Sequence, residues 1–126
     1  MSSVVSDVIK WSFKLVILSL KCFIKLHVFP DLFKSFVAAY TVGEVTELYN
    51  QQQYDKSYSK LKPIANYNID SPYLGKCLYM LAIHYINGFG VDESMTRARM
   101  YLEKAATQGS DEAILLLAEL KEKTKK

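Results

Sequence analysis

Leu74, Leu78, Leu81 and Tyr85 recur at helical spacing and mark one apolar face. Gly88 and Gly90 follow the last position of that face, where a left-handed cap is least costly for glycine. A second helical face carries Ala98, Tyr101, Ala105 and Ala106, and Gly109 closes it. Ala82 and Ala98 are small where two antiparallel helices would need close approach, since interaxial distance shrinks with the side chains at the contact. Asp92 or Ser94 can cap the second helix, and Ser110 or Asp111 the next, by accepting from free backbone N–H groups. Ala113, Leu117 and Ala118 then restart the frame of Cys77, Leu81 and Ala82, 36 residues on. A self-similar period in the range of about 20–50 residues signals a stacked repeat architecture.

Upstream, Val42, Val45, Leu48 and Tyr49 mark one helix, Gln51-Gln52-Gln53 a turn, and Tyr54, Tyr58, Leu61 and Ala65 a second helix. Pro63 lies inside that second pattern, where it forfeits a hydrogen bond and kinks a helix, so a bend or an end is expected near Lys62. Asn66 to Pro72 is turn-rich, and Ser71-Pro72 suits a helix start. At the other end, Lys121 falls where the aromatic of the first face would recur. The charged Lys121-Glu122-Lys123-Thr124-Lys125-Lys126 follows, so Asp111 to Lys123 is expected to be a polar capping helix.

The run Cys77-x3-Leu81-Ala82-x2-Tyr85-x2-Gly88-x-Gly90-Val91, followed by Ala98-x2-Tyr101-x2-Lys104-Ala105-Ala106-x2-Gly109, resembles a Sel-one-like repeat. This is the tetratricopeptide-related helix–turn–helix unit with a longer, glycine-containing turn. Val42 to Asn66 resembles a degenerate tetratricopeptide-type unit, so the resemblance covers Val42 to Glu122, roughly two and a half units. The chain departs from the family's usual alanine at Cys77, its glycine at Ala82 and Ala118, and its acidic residue at Ser94. These swaps are small-for-small or polar. The resemblance implies an all-α fold, a short α-solenoid of antiparallel helix pairs with an apolar N-terminal helix. It also implies a binding surface rather than a catalyst. Short proteins of the family resemble bacterial adaptors, and some stand beside secreted toxins as their immunity proteins.

Composition agrees with one compact helical domain: 126 residues, 50% of them hydrophobic, with 5 glycines and 3 prolines. The net charge of +3 is modest and several basic residues sit at the two ends. That argues against a nucleic-acid partner, which needs a concentrated basic face. Cys22 and Cys77 lie in different segments and form no metal or redox spacing, as expected of a reduced cytoplasmic protein.

The first 40 residues are expected to be a separate helical segment, with the repeat domain over 41–126. Trp11 to Phe29 is nearly the length of a membrane span, yet it contains Lys14, Lys21 and Lys25. On a helix, Lys10, Lys14, Lys21 and Lys25 fall within about 60° of one another. Trp11, Phe13, Leu15, Val16, Ile17, Leu18, Leu20 and others fill the rest of the circumference, and Pro30-Asp31 is expected to end the helix. Arithmetic disfavours a simple span: a central lysine costs about 2.5–3.5 kcal/mol, and each large aliphatic returns about 0.3–0.6. A cleaved signal peptide fits less well, because the apolar run is long and lysine-punctuated. A genuine anchor in the inner membrane stays open behind two better-fitting explanations. In one, the helix lies on the inner membrane surface, with Lys10, Lys14, Lys21 and Lys25 among anionic headgroups and Trp11 and Phe13 at the acyl boundary. In the other, it caps the first repeat or forms a homodimer interface, and the lysines are its solvent stripe.

No catalytic or metal constellation emerges. His27 and His84 have no neighbouring carboxylate or thiol at ligand spacing, and Gly88-Phe89-Gly90 lacks the lysine–hydroxyl pair of a phosphate loop. No enzyme activity and no cofactor are therefore expected. If Leu78, Leu81, Ala82 and Tyr85 pack inward, Lys76, Tyr79, Ile83, Ile86 and Asn87 face outward. Thr46 and Tyr49 join them from upstream, and Glu112, Leu115 and Glu119 from the last helix. Tyrosine and aliphatics with a few charges suit a protein contact. The expected function is noncatalytic binding of one protein partner, with a toxin as the family-derived candidate. The alternatives are a membrane-active protein working through its first helix, and a regulatory subunit of a cell-envelope enzyme.

Overall fold

The computed structural model describes residues 2–26 and 29–125, with the side chains of residues 3–20 and 30–125. The described residues form six helices and no strand: α1 (Ser2–Leu26), α2 (Phe29–Asn50), α3 (Tyr54–Ile64), α4 (Pro72–Asn87), α5 (Met95–Thr107) and α6 (Asp111–Lys125). The all-α expectation holds. The chain divides into two compact units, residues 1–33 and 34–126. The boundary expected at 40/41 falls inside α2, which runs through it unbroken.

In the first unit, every described side chain of α1 is exposed, including Trp11 at 69% and Phe13 at 67%. Pro30, expected to end the first helix, lies in α2; residues 27 and 28, which precede α2, are outside the described residues. Among the described residues, no helix is long and apolar enough to cross a membrane.

The second unit is organised around α4. Leu74, Gly75, Cys77, Leu78, Leu81, Ala82, His84 and Tyr85 are all buried, covering most of its circumference. α4 packs on α3 and α5, and α5 packs on α6. α2 contributes the buried Ala38 and Val45, and the Cys77 thiol donates to the Ala38 carbonyl at 3.6 Å. Leu61 and Ile64 from α3, Ala98, Tyr101, Leu102 and Ala105 from α5, and Ala113 from α6 complete the core.

Local chemistry accounts for the boundaries. Ser71 caps α4 by accepting from the Tyr73 N–H, with Pro72 next to it. Ser94, rather than Asp92, caps α5 through the Arg97 N–H, and Ser110 caps α6 through the Ala113 N–H. Gly109, at φ +84°, lets the Ser110 N–H reach back to the Ala105 carbonyl at 3.0 Å. Between α2 and α3 the turn takes an unexpected form. Gln52 holds φ +59°, and the Gln53 N–H returns to the Leu48 carbonyl at 2.8 Å. As expected of Pro63, α3 ends close to Lys62: Pro63 is its penultimate residue and the buried Ile64 its last. The carbonyl that Pro63 leaves unpaired belongs to Ser59, an exposed residue open to water.

The Gly88–Gly90 turn is docked as well as left-handed. Both glycines have positive φ, +67° and +70°. A Cβ on Gly90 would stand 2.7 Å from the Tyr54 carbonyl oxygen and 2.9 Å from the Asp55 Cα, whereas one on Gly88 would meet nothing closer than 3.6 Å. Between them, Phe89 stacks on Tyr54 with ring centres 4.0 Å apart. Gly88→Ala is therefore expected to cost about 1–2 kcal/mol, the strain of a left-handed L-residue. Gly90→Ala should cost clearly more, because backbone of the first turn of α3 must also move. Chemical denaturation followed by circular dichroism measures both. Equal losses would show that the Tyr54 contact yields freely.

Candidate functional site

One apolar recess, of about 300 Å³, opens between α2 and α4 and is lined by Tyr49, Tyr79, Met80 and Ile83. Positions 79, 80 and 83 share a face of α4 because they lie three and four residues apart. Tyr49 reaches it from the last turn of α2. All four are half-buried.

An aromatic cluster behind the recess holds Tyr49 in place. Its ring meets Tyr54 edge-on at 5.4 Å, Phe89 at 5.9 Å and His84 at 6.0 Å. Burial raises the Tyr49 hydroxyl above its ordinary pKa, and the neighbouring Tyr54 and Tyr79 hydroxyls add to this. His84 is fully buried. Its Nδ1 lies 2.7 Å from the Met80 carbonyl, which can only accept, so Nδ1 carries the proton. Its Nε2 therefore accepts from the Ser57 hydroxyl at 2.8 Å. This neutral imidazole ties the backbone of a recess residue to α3. Among the described residues, Ser57 and the Met80 carbonyl are the hydrogen-bond partners of its two ring nitrogens.

The expected surface residues separate into two groups. Tyr49, Tyr79 and Ile83 come together. Lys76 and Asn87 are exposed on the same face of α4, about one turn before and after the recess, and the Asn87 amide donates to the Ile83 carbonyl. Ile86 is half-buried against the core. Thr46 is exposed, but its hydroxyl bonds back to the Val42 carbonyl, and it does not line the recess. Neither do Glu112, Leu115 and Glu119, which are exposed on α6; Glu119 pairs with Lys123 at 3.1 Å. Met80 escaped the sequence reading. The inward set Leu78, Leu81, Ala82 and Tyr85 leaves position 80 on neither face, and only the approach of Tyr49 assigns it to the recess.

Of the expected membrane-contact residues, Lys10, Trp11, Phe13 and Lys14 are exposed on α1. The side chains of Lys21 and Lys25, like those of Cys22 and His27, lie outside the described residues. Burial pushes the Cys77 thiol up to about 12, which leaves it protonated and unreactive near neutral pH. Among the described residues, no three His, Cys, Asp or Glu side chains converge as metal ligands would.

Burial lowers the pKa of His84 below its ordinary 6.5, and the Met80 hydrogen bond opposes this only in part. The unfolded chain then takes up a proton at a pH where the folded chain does not. Stability should fall as pH drops through 6.5 toward the lower native value, with a slope of at most about 1.4 kcal/mol per pH unit. Urea denaturation between about pH 7 and pH 5, above the carboxylate range, should show a shallower slope for His84→Gln. Parallel curves would mean that the imidazole accepts its second proton without cost.

No family model matches the chain, and no curated protein and no solved structure matches it.

Proposed function

We propose that this chain is a noncatalytic interaction protein. In this reading α2 to α6 form a short α-solenoid of antiparallel helix pairs, related to Sel-one-like and tetratricopeptide repeats, and the recess between α2 and α4 receives an apolar anchor of one protein partner. The observation that carries the reading is the recess itself. It has an apolar centre of Tyr49, Tyr79, Met80 and Ile83, with Lys76 and Asn87 exposed beyond it. An apolar centre within a polar rim is the anatomy of a protein contact. Methionine supports it, since a flexible and polarisable side chain adapts to an incoming surface.

A partner recognised in this way should respond to loss of one anchor. Tyr79→Ala is expected to leave helix content and melting temperature nearly unchanged, because the residue is only half-buried. It should weaken the partner about tenfold or more, the usual cost of an aromatic at an interface centre. Ile83→Ala should act in the same direction. The measurement uses a photo-crosslinking residue at position 79 to capture the partner in cells, followed by titration of that purified partner. Unchanged affinity for Tyr79→Ala would remove the recess from the interface.

A second reading rests on α1, whose exposed apolar side chains include Val5, Ile9, Trp11, Phe13, Val16 and Leu20. It is an interfacial helix that brings the binding unit to an anionic membrane surface, with Lys10 and Lys14 among the headgroups. In the full-length chain, the Trp11→Ser/Phe13→Ser double substitution is expected to reduce partition onto phosphatidylglycerol-containing vesicles several-fold in a flotation assay. Equal partition would leave α1 as a protein-contact helix, the homodimer alternative, which sedimentation equilibrium reads directly.

A further inference from the structure

On α3, α4 and α5, three tyrosines form a row: Tyr58 meets Tyr85 edge-on at 5.9 Å, and Tyr85 stacks on Tyr101 at 5.5 Å. Three cations gather on this row. The Lys62 ammonium lies 5.9, 5.8 and 6.0 Å from the centres of Tyr58, Tyr85 and Tyr101. The Arg97 guanidinium lies 5.8 Å from Tyr85, and the Lys104 ammonium 5.8 Å from Tyr101. Two rings therefore carry two cations each. The Tyr85 hydroxyl takes one hydrogen bond from Lys62 at 3.2 Å and shares another with Tyr58 at 3.0 Å.

What is missing is the counter-charge. No carboxylate among the described residues pairs with Lys62, Arg97 or Lys104, although Lys60, two residues from Lys62, pairs with Glu44 at 3.1 Å. Attraction to ring faces offsets part of the repulsion among three like charges, but it neutralises none of the charge. Hydrogen-bond supply also exceeds demand. An ammonium has three donors and a guanidinium five, and within the protein few of these are used: Lys62 donates to the Tyr85 hydroxyl at 3.2 Å, and Arg97 also approaches that hydroxyl. Burial alone would raise the Tyr85 hydroxyl pKa. The polar contacts of Tyr58, Lys62 and Arg97, with the charge of Lys62, instead bring it below its ordinary value of 10.

Room exists for more than a bare ion. Lys104 also lines a recess of about 400 Å³ bounded by Asn66, Asn68, Thr107 and Gln108 among others. Its walls offer amide and hydroxyl groups, suited to the polar remainder of a phosphate-bearing molecule.

We infer that Lys62, Arg97 and Lys104 form a binding site for a phosphate group, carried either by a free small anion or by a lipid headgroup. The three cations supply charge-assisted donors, for which phosphate oxygens are strong acceptors. The site is separate from the Tyr49–Ile83 recess and does not depend on that recess binding a partner.

The probe is inorganic phosphate added to the full-length chain, against sodium chloride at matched ionic strength, with the Arg97 side-chain N–H and the Tyr101 amide followed by NMR. The expected result is a saturable shift at both. Arg97→Gln and Lys104→Gln should each weaken the affinity about tenfold, the scale of one hydrogen bond to a charged group. Lys56→Gln, an exposed lysine elsewhere on α3, should leave it unchanged. All these positions are exposed, so the variants should fold, and circular dichroism checks that they do. A second arm measures flotation with phosphatidylcholine vesicles with and without phosphatidic acid. A flotation gain that falls in Arg97→Gln and Lys104→Gln but not in Lys56→Gln, without a response to free phosphate, assigns the site to a headgroup. The proposal is overturned if neither probe responds, or if Lys56→Gln loses as much as the other two.

Discussion

The second unit depends on a single backbone contact, between Gly90 and the first turn of α3. No other residue type can occupy position 90 without displacing the Tyr54 carbonyl. From that contact the rest follows. Phe89 is delivered flat onto the Tyr54 ring, the paired rings wall in His84 and Tyr49, and His84 links Ser57 on α3 to the Met80 carbonyl on α4. The recess is therefore shaped from behind by a turn that does not line it. A site formed by side chains from two helices needs such support, because half-buried tyrosines would otherwise sample several rotamers.

Much of the unit was legible in the sequence, for local reasons. Gly88, Gly90 and Gly109 announce left-handed positions, and Ser71 and Ser110 announce caps, because each satisfies a need of its own backbone. Pro63 likewise marks the end of α3, which closes one residue later at the buried Ile64. Gln52 adopts the left-handed conformation without being glycine, and nothing in its side chain announces this.

The candidate site was half legible. Tyr79 and Ile83 follow from the face opposite Leu78 and Leu81, since periodicity is a property of one helix. Periodicity cannot say which outward positions of α4 meet α2. That is why Thr46 and Ile86 were grouped with Tyr49, and why Met80 was overlooked. The cluster of Lys62, Arg97 and Lys104 has the same origin. Arg97 and Lys104 lie two turns apart on one face of α5, but Lys62 belongs to α3, and only packing around Tyr85 and Tyr101 brings the three together.

α1 poses the opposite problem, a helix whose sequence is more apolar than its surroundings. A helix apolar around most of its circumference belongs in a core or a lipid phase, and covering each large side chain is worth about 1.5–3 kcal/mol. The exposed side chains include Val4, Val5, Val8, Ile9, Trp11, Phe13, Leu15, Val16, Leu18 and Leu20, so the free energy favouring a covering surface far exceeds that of one ordinary contact. Lys10 and Lys14 limit what that surface can be. They lie one turn apart on one face, and any cover must leave that stripe in water or among anions. A headgroup layer meets this condition along the whole helix, whereas a protein groove meets it only if it is open on one side.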